Sequence, residues 1–287
     1  MPEPKSCIAA ALSDAGKAVV FLACAAASLW GLYRYLPVYL LPLPYYAWVF
    51  VFSLCGLAAA LAANVLCMGL FERTSVVNIG LRWNGRNLLI GLAGGASSAL
   101  LVTVVPVLLG AAEFKPASTP MANANDLALF AALFLAATLY EELAMRGYLL
   151  QALMLAFGLP AAAIFTALLF AAGHLLNRGV SPFAMANTFL AGVILAVCFR
   201  AAGDLWFPIG LHYAWNMTVV LLGARVSGFL GNRMTNVELV WKSDPVWSGG
   251  SYGPEAGVLT TLAFGLWLLW AWKAPLHRRE PWMLAKR

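Results

Sequence analysis

Charged residues are scarce in this chain of 287 residues, because Asp, Glu, Lys and Arg together make up only 10% of it. Soluble globular domains carry about 25% of such residues. Hydrophobic residues account for 62% of the chain, and the mean hydropathy is +0.81. These values exclude an ordinary soluble domain and predict a polytopic membrane protein.

Long polar stretches are also rare, and the apolar runs between them are long enough to cross a bilayer. We predict an all-α protein: a polytopic bundle of about eight transmembrane helices that forms one integral membrane domain over residues 1–287, with its functional site inside the bundle. No internal repeat or low-complexity segment divides the chain. The predicted spans cover residues 18–33, 45–71, 87–112, 127–157, 159–176, 183–202, 206–223 and 256–272.

Cysteine and histidine patterns typical of structural metal sites are missing. The sequence has no C-x-x-C pair and no H-E-x-x-H motif, and most of its cysteines lie inside apolar runs. We interpret them as small core residues, which imply neither disulfides nor a zinc knot. The five are Cys7, Cys24, Cys55, Cys67 and Cys198.

The net charge of +6 is unevenly distributed. If the chain has eight spans and starts inside, the inner segments collect 11 Lys and Arg residues and the outer ones 6. This bias predicts that both termini lie in the cytoplasm. We expect an integral protein of a bacterial inner (plasma) membrane. Anionic lipid headgroups are the expected partner of the basic tail, and no nucleic acid is needed to explain it.

Two adjacent carboxylates, Glu141 and Glu142, interrupt an apolar run at TLYEELAMRGYLLQ, residues 138–151. Charges in hydrocarbon cost on the order of a few kcal/mol each, so a functional or paired role is expected. Arg146 follows Glu142 by four residues and therefore shares its helical face, whereas Glu141 is rotated by about 100°. We predict that Arg146 neutralises Glu142 and that Glu141 points elsewhere.

Two histidines occur in the later spans. A break predicted at residues 158–160 turns the chain back, which places Glu141 and His174 at similar depth on antiparallel helices. His212 and Asn216 are four residues apart and share a helical face. Straight helices would leave His212 roughly 10 Å closer to the inner face than His174, so a kink, a tilt or an immersed loop is expected to close that gap.

Three short motifs follow one another on successive apolar helices. They are E-E-x-x-x-R at Glu141, Glu142 and Arg146, F-x-x-x-H at Phe170 and His174, and H-x-x-x-N at His212 and Asn216. This arrangement resembles the CAAX protease and bacteriocin-processing family of intramembrane proteases, also called the Abi or type II CAAX prenyl endopeptidase family. The resemblance covers about residues 125–220, the expected catalytic core, and implies an intramembrane endopeptidase.

Peptide hydrolysis needs an activated water, a group that orients it and donors for the developing oxyanion. We predict Glu141 as the general base and His174 as the residue that holds the water and later helps deliver a proton to the leaving amine. His212 and Asn216 are the predicted oxyanion donors. The resemblance implies the same roles. Supporting roles are predicted for Glu142, Arg146 and Phe170.

Zinc is the alternative to metal-free catalysis, because Glu141, His174 and His212 could bind it with an open water position. We favour the metal-free mechanism, since H-E-x-x-H is absent and a zinc-bound Glu141 would leave only Glu142, tied to Arg146, as a base. No cofactor is therefore expected.

Two functions of other classes compete with a protease. A transporter or proton relay also uses buried Glu, His and Arg, but no inverted repeat is detectable. A catalytically silent scaffold would not need every motif position intact. The expected substrate is a peptide or protein, either lipidated or membrane-associated, and the sequence does not choose between a prenylated CAAX protein, a peptide pheromone, a bacteriocin leader and a membrane-protein fragment.

Overall fold

The computed structural model describes residues 4–35, 45–117, 124–229 and 235–286, and it is 75% helical. Eight helices in this part have sixteen or more residues. They are α1 (Pro4–Tyr35), α2 (Tyr45–Cys67), α3 (Gly85–Leu108), α4 (Ala124–Arg146), α5 (Tyr148–Gly173), α6 (Pro182–Ala202), α7 (Trp206–Leu221) and α8 (Val258–Lys273). Short helical pieces lie at Met68–Glu72, Val76–Ile79, Pro245–Ser248, Pro254–Ala256 and Trp282–Ala285.

Five stretches of the described residues are long and apolar enough to cross a membrane. One of them contains both α4 and α5, whereas α7 and α8 have only 16 residues each, fewer than the roughly 20 that a span needs. The expected helical membrane bundle is thus found, but the predicted number of eight spans is not confirmed. The five stretches are Ala9–Arg34, Tyr46–Glu72, Gly85–Leu108, Leu127–Gly173 and Pro182–Ala202.

A small antiparallel sheet joins two segments that lie at the edge of the predicted spans or between them. Strand β1 (Ala112–Pro116) follows α3, and β2 (Val237–Trp241) lies between α7 and α8. The register pairs Ala112 with Trp241 and Pro116 with Val237. The α3–α4 and α7–α8 connections are therefore tied together at one end of the bundle.

Helices α3 and α7 pack with their backbones in close contact. A Cβ atom added at Gly91 would lie 2.4 Å from the carbonyl oxygen of Phe207, and one added at Gly95 would lie 2.2 Å from that of Leu211. Only glycine allows this approach, which resembles the packing of small residues between membrane helices. Because His212 follows Leu211, the contact sets the position of a motif histidine.

At the other end of the bundle, Asp204 connects three segments. Its Oδ2 accepts hydrogen bonds from the Nδ2 groups of Asn84 and Asn87, each at 2.7 Å, and its Oδ1 accepts from two backbone N–H groups in the first turn of α7, as an N-cap does. Burial raises the pKa of Asp204 in spite of these bonds. Asn87 also accepts a hydrogen bond from the backbone N–H of His277, so the segment after α8 is attached at this end of the bundle.

Candidate active site

A one-residue break separates α4, which ends at Arg146, from α5. Gly147 has φ −70° and ψ −127°, and a Cβ there would lie 2.4 Å from the carbonyl oxygen of Leu143. Asn64 of α2 replaces the hydrogen bonds lost at the break: its Nδ2 donates to Leu143 O at 3.0 Å, and its Oδ1 accepts from the N–H of Tyr148 at 2.8 Å. The spans predicted from the sequence did not include this break, although a glycine within an apolar run was a signal for it.

The break expected at residues 158–160 is present. Gly158 has φ 79° and ψ 168° inside α5, a conformation that favours glycine. Glu141 and His174 lie about equally far along the chain from this residue, and both line the same cavity. A shared cavity agrees with the predicted match in depth between the two side chains, which stays a prediction.

The predicted pair between Glu142 and Arg146 is formed. Their side chains are 0% and 1% exposed, and Nη1 of Arg146 lies 3.1 Å from Oε1 of Glu142. The Nη2 group of Arg146 donates to the carbonyl oxygen of Gly192 on α6 at 3.2 Å, and its guanidinium carbon lies 4.9 Å from the ring centroid of Phe170. The pair therefore also joins α4 to α5 and α6.

His212 reaches both carboxylates. Its Nδ1 lies 2.9 Å from Oε1 of Glu142 and its Nε2 lies 3.5 Å from Oε2 of Glu141. When Glu142 is ionised its oxygens can only accept, so in the shorter contact Nδ1 of His212 carries the proton and donates a hydrogen bond to Glu142. A histidine that bridges the two glutamates was not predicted from the sequence.

The depth gap of roughly 10 Å expected for His212 does not exist. The estimate assumed that α7 begins at the same depth as the turn at Gly158, whereas α7 begins at the depth of Gln151. The side chain of Gln151 donates to the carbonyl oxygen of Ile79 at 3.0 Å, and the next carbonyl, that of Gly80, accepts from the N–H of Leu205 at 3.0 Å. Gln151 is therefore level with the start of α7. The helix continues for about seven residues beyond Gln151 before the turn, which at 1.5 Å per residue accounts for roughly 10 Å.

His174 has a defined tautomer. Its Nδ1 lies 2.8 Å from the carbonyl oxygen of Phe170, and a carbonyl only accepts, so Nδ1 donates and the neutral ring keeps a lone pair on Nε2. The Phe170 ring packs against both histidines, with centroid distances of 4.7 Å to His174 and 6.1 Å to His212. Phe170 thus supports both rings.

A cavity of about 640 Å³ borders Glu141 and His174. The side chain of Glu141 is 24% exposed, whereas that of Glu142 is fully buried, so of the two carboxylates only Glu141 reaches this space. The wall is mostly apolar. It includes Trp48, Phe52, Leu133, Phe134, Tyr140 and Phe229.

Asn216 is buried, and its side chain makes no hydrogen bond to any other residue in the part of the chain that the structure describes. It lines a second, smaller cavity together with His174 and His212. The amide is therefore available as a donor beside both histidines.

The residues expected to bind zinc do not form a metal site in this arrangement. Among the described residues, no three His, Cys, Asp or Glu side chains are grouped so that they could hold a metal ion. Zinc bonds to a histidine nitrogen at about 2.0–2.1 Å and needs its lone pair, whereas both ring nitrogens of His212 face carboxylates. The metal-free mechanism nevertheless stays a prediction.

A comparison with protein families supports the resemblance seen in the sequence. Residues 123–218 match the family model described as Type II CAAX prenyl endopeptidase Rce1-like. The match covers about one third of the chain and includes the three motifs. Comparisons with curated proteins and with solved structures gave no significant match. The family indicates a protease that acts on a peptide or protein, and together with the apolar helices it indicates an integral membrane protein.

Proposed function

We propose that the protein is an intramembrane endopeptidase that hydrolyses a peptide bond with a water activated by Glu141. The position of Glu141 is the observation that supports this most. It borders the larger cavity together with His174, while Glu142 is buried and bound to Arg146 and His212. Two adjacent carboxylates thus have different surroundings, and such a difference separates a reacting group from a supporting one.

In the proposed reaction, Glu141 accepts a proton from water as the water oxygen attacks the carbonyl carbon of the scissile bond. His174 accepts a second hydrogen bond from the same water through Nε2, because Nδ1 is bound to Phe170 O. The C–N bond then breaks as the proton passes to the leaving amine. Glu141 returns to the carboxylate form, and the carboxyl and amine products are released.

The tetrahedral intermediate carries an oxyanion that needs donors. We assign this role to the side-chain amide of Asn216 and to Nε2 of His212 when that ring carries both protons. Glu142 and Arg146 act through His212: the carboxylate receives the Nδ1 proton, and the guanidinium compensates the charge. Phe170 holds the two histidine rings.

The apolar wall of the larger cavity favours a substrate segment that is lipidated or associated with the membrane. An apolar cavity binds mainly by excluding water from nonpolar surface. A prenylated CAAX protein and an unmodified membrane-bound peptide both meet this requirement. Cleavage of matched peptides with and without a prenyl group would distinguish them.

The variant Glu141→Gln tests the assignment. It keeps size and hydrogen bonding but removes basicity, so turnover should fall by ~10²–10⁴ with an unchanged thermal midpoint. Purified protein would be incubated with a peptide library in detergent, and cleavage would be read by mass spectrometry. Glu238→Gln, in the α7–α8 connection, is the control. If Glu141→Gln retained turnover within a factor of ~3 of the wild type, Glu141 would not be the base.

Metal dependence is tested on the same preparations. A chelator should leave turnover unchanged, and elemental analysis of active protein should find no stoichiometric zinc. Zinc that follows activity through chelation and reconstitution would contradict the metal-free mechanism and leave the protease assignment intact. If the wild-type protein cleaves nothing in the library, the proton-relay and scaffold hypotheses become the better explanations.

A further inference from the structure

A small chamber of about 40 Å³ lies against the side of the site formed by His212 and Asn216. Phe170, His174 and Ser227 border both this chamber and the larger cavity. A water molecule in the liquid occupies about 30 Å³, so the chamber has room for ordered water. Its position gives such water a short path to His174.

The walls of the chamber carry polar groups, as a site for buried water requires. Among them is Trp267, which is 2% exposed and whose indole N–H has no hydrogen-bond partner among the described residues. Buried donors without a partner are rare in folded proteins. A water molecule in the chamber would supply that partner. Asn187, Thr188 and Asn216 are further polar residues of this wall.

Glu255 forms the outer wall, although it lies outside the segment that matches the family. Its Oε1 accepts from the indole N–H of Trp215 at 3.0 Å, and its Oε2 accepts from the backbone N–H and the hydroxyl of Ser227. Ser227 has a φ of +48°, an uncommon conformation for a residue other than glycine. The carboxylate therefore holds a strained turn at the boundary between the chamber and the larger cavity.

We propose that this chamber is an internal water site that supplies the hydrolytic reaction, and that Glu255 is a positioning residue that keeps its outer wall closed. The inference rests on the proposed function. Hydrolysis consumes one water for each bond, yet a substrate that fills the apolar cavity displaces the water there. A polar chamber reached past His174 holds water outside the apolar cavity until the carbonyl oxygen of the scissile bond reaches Asn216 and His212.

Filling the chamber tests its role in turnover. Ala191 is a small residue of the wall, and Ala191→Val adds two methyl groups to it. We expect kcat to fall at least ~10-fold with KM changed less than ~2-fold, because the water supply and not substrate binding is lost. Ala191→Ser adds a single polar atom and is the matched control, expected to keep wild-type kcat. An unchanged kcat in Ala191→Val would overturn the supply role.

X-ray hydroxyl-radical footprinting tests for the water without any substrate. Trp267 and Phe264 line the chamber and are at most 3% exposed, so bulk water does not reach them and oxidation would report bound water. Phe207, 0% exposed and not part of the chamber wall, is the control. We expect oxidation of Trp267 and Phe264, protection of both in Ala191→Val, and none at Phe207.

The two measurements separate the inference from the proposed function. Oxidation at Trp267 in a protein that cleaves no peptide would leave the water site standing and reject the protease assignment. If Phe264 and Trp267 react no more than Phe207, the chamber is dry and the inference fails, whatever the activity. The test with Ala191→Val requires that this variant keeps the thermal midpoint of the wild type. If it does not, Thr188→Val replaces it: this variant removes one hydroxyl from the chamber wall and should lower kcat.

The role of Glu255 has its own test. Glu255→Gln replaces one carboxylate oxygen, which accepts a hydrogen bond from Trp215 or Ser227, with an amide NH₂ group, which can only donate. The lost hydrogen bond should loosen the wall. We expect faster oxidation of Trp267, and a lower kcat at an unchanged thermal midpoint because a loosened wall no longer orders the water beside His174. The control Glu238→Gln should change neither. If the labelling of Trp267 and kcat both stay as in the wild type, Glu255 does not position this wall.

Discussion

Arg146→Ala removes one partner of a fully buried ion pair, and its consequence can be worked out from the contacts. The guanidinium donates to Glu142 Oε1 and to the carbonyl oxygen of Gly192, and it stacks on Phe170. After the substitution Glu142 keeps only the hydrogen bond with His212. A carboxylate left in this way within an apolar bundle is an uncompensated buried charge.

The expected loss is roughly 3–5 kcal/mol of unfolding free energy, the range for breaking a buried pair by removing one partner. Arg200 and Glu280 provide a matched comparison, because their atoms approach to 3.0 Å but their side chains are 38% and 47% exposed. Exposed pairs contribute about 0–1 kcal/mol, so Arg200→Ala should lose no more than this. Two Arg–Glu pairs at nearly the same distance are thus expected to differ several-fold in their contribution to stability, because one is buried and the other is exposed.

The assay is denaturant-induced unfolding in detergent micelles, followed by tryptophan fluorescence, together with turnover. The double variant Glu142→Gln/Arg146→Ala should be more stable than Arg146→Ala alone, because the amide leaves no stranded charge and can still accept from His212. If Arg146→Ala is as stable as Arg200→Ala and fully active, the buried pair does not support the site. A double variant that is no more stable than Arg146→Ala would show that lost packing, and not charge, is responsible.

Two other predictions concern helix packing and orientation. Gly95→Ala should destabilise the bundle and lower turnover, since the new Cβ would lie 2.2 Å from Leu211 O. In the control Gly265→Ala the new Cβ has no atom within 4 Å, so the free energy of unfolding should change by no more than ~1 kcal/mol. Equal effects in both variants would contradict the close α3–α7 contact. Reporter fusions should place Lys286 in the cytoplasm and Ser251 outside, and the reverse result would overturn the orientation predicted from the Lys and Arg bias.

The sequence alone was sufficient for features that depend on local geometry. The pairing of Glu142 with Arg146 follows from a spacing of four residues on one helix, which sets both their direction and their distance. Counting residues on either side of Gly158 predicts a similar depth for Glu141 and His174, and both side chains border one cavity. Composition indicated the membrane, because a bilayer requires apolar side chains over the length of a span.

Only the tertiary structure decided how separate segments meet. His212 reaches both carboxylates because α7 begins level with Gln151, a relation between helices that no periodicity within one helix contains. Asn64, on another helix, supplies the hydrogen bonds that the break at Gly147 leaves open. Glu255 lies in the short helical piece Pro254–Ala256, and no sequence spacing links it to the motifs. Helix periodicity determines the direction of a side chain around its own axis, whereas the sliding of one helix along another is set by packing contacts between residues far apart in the chain.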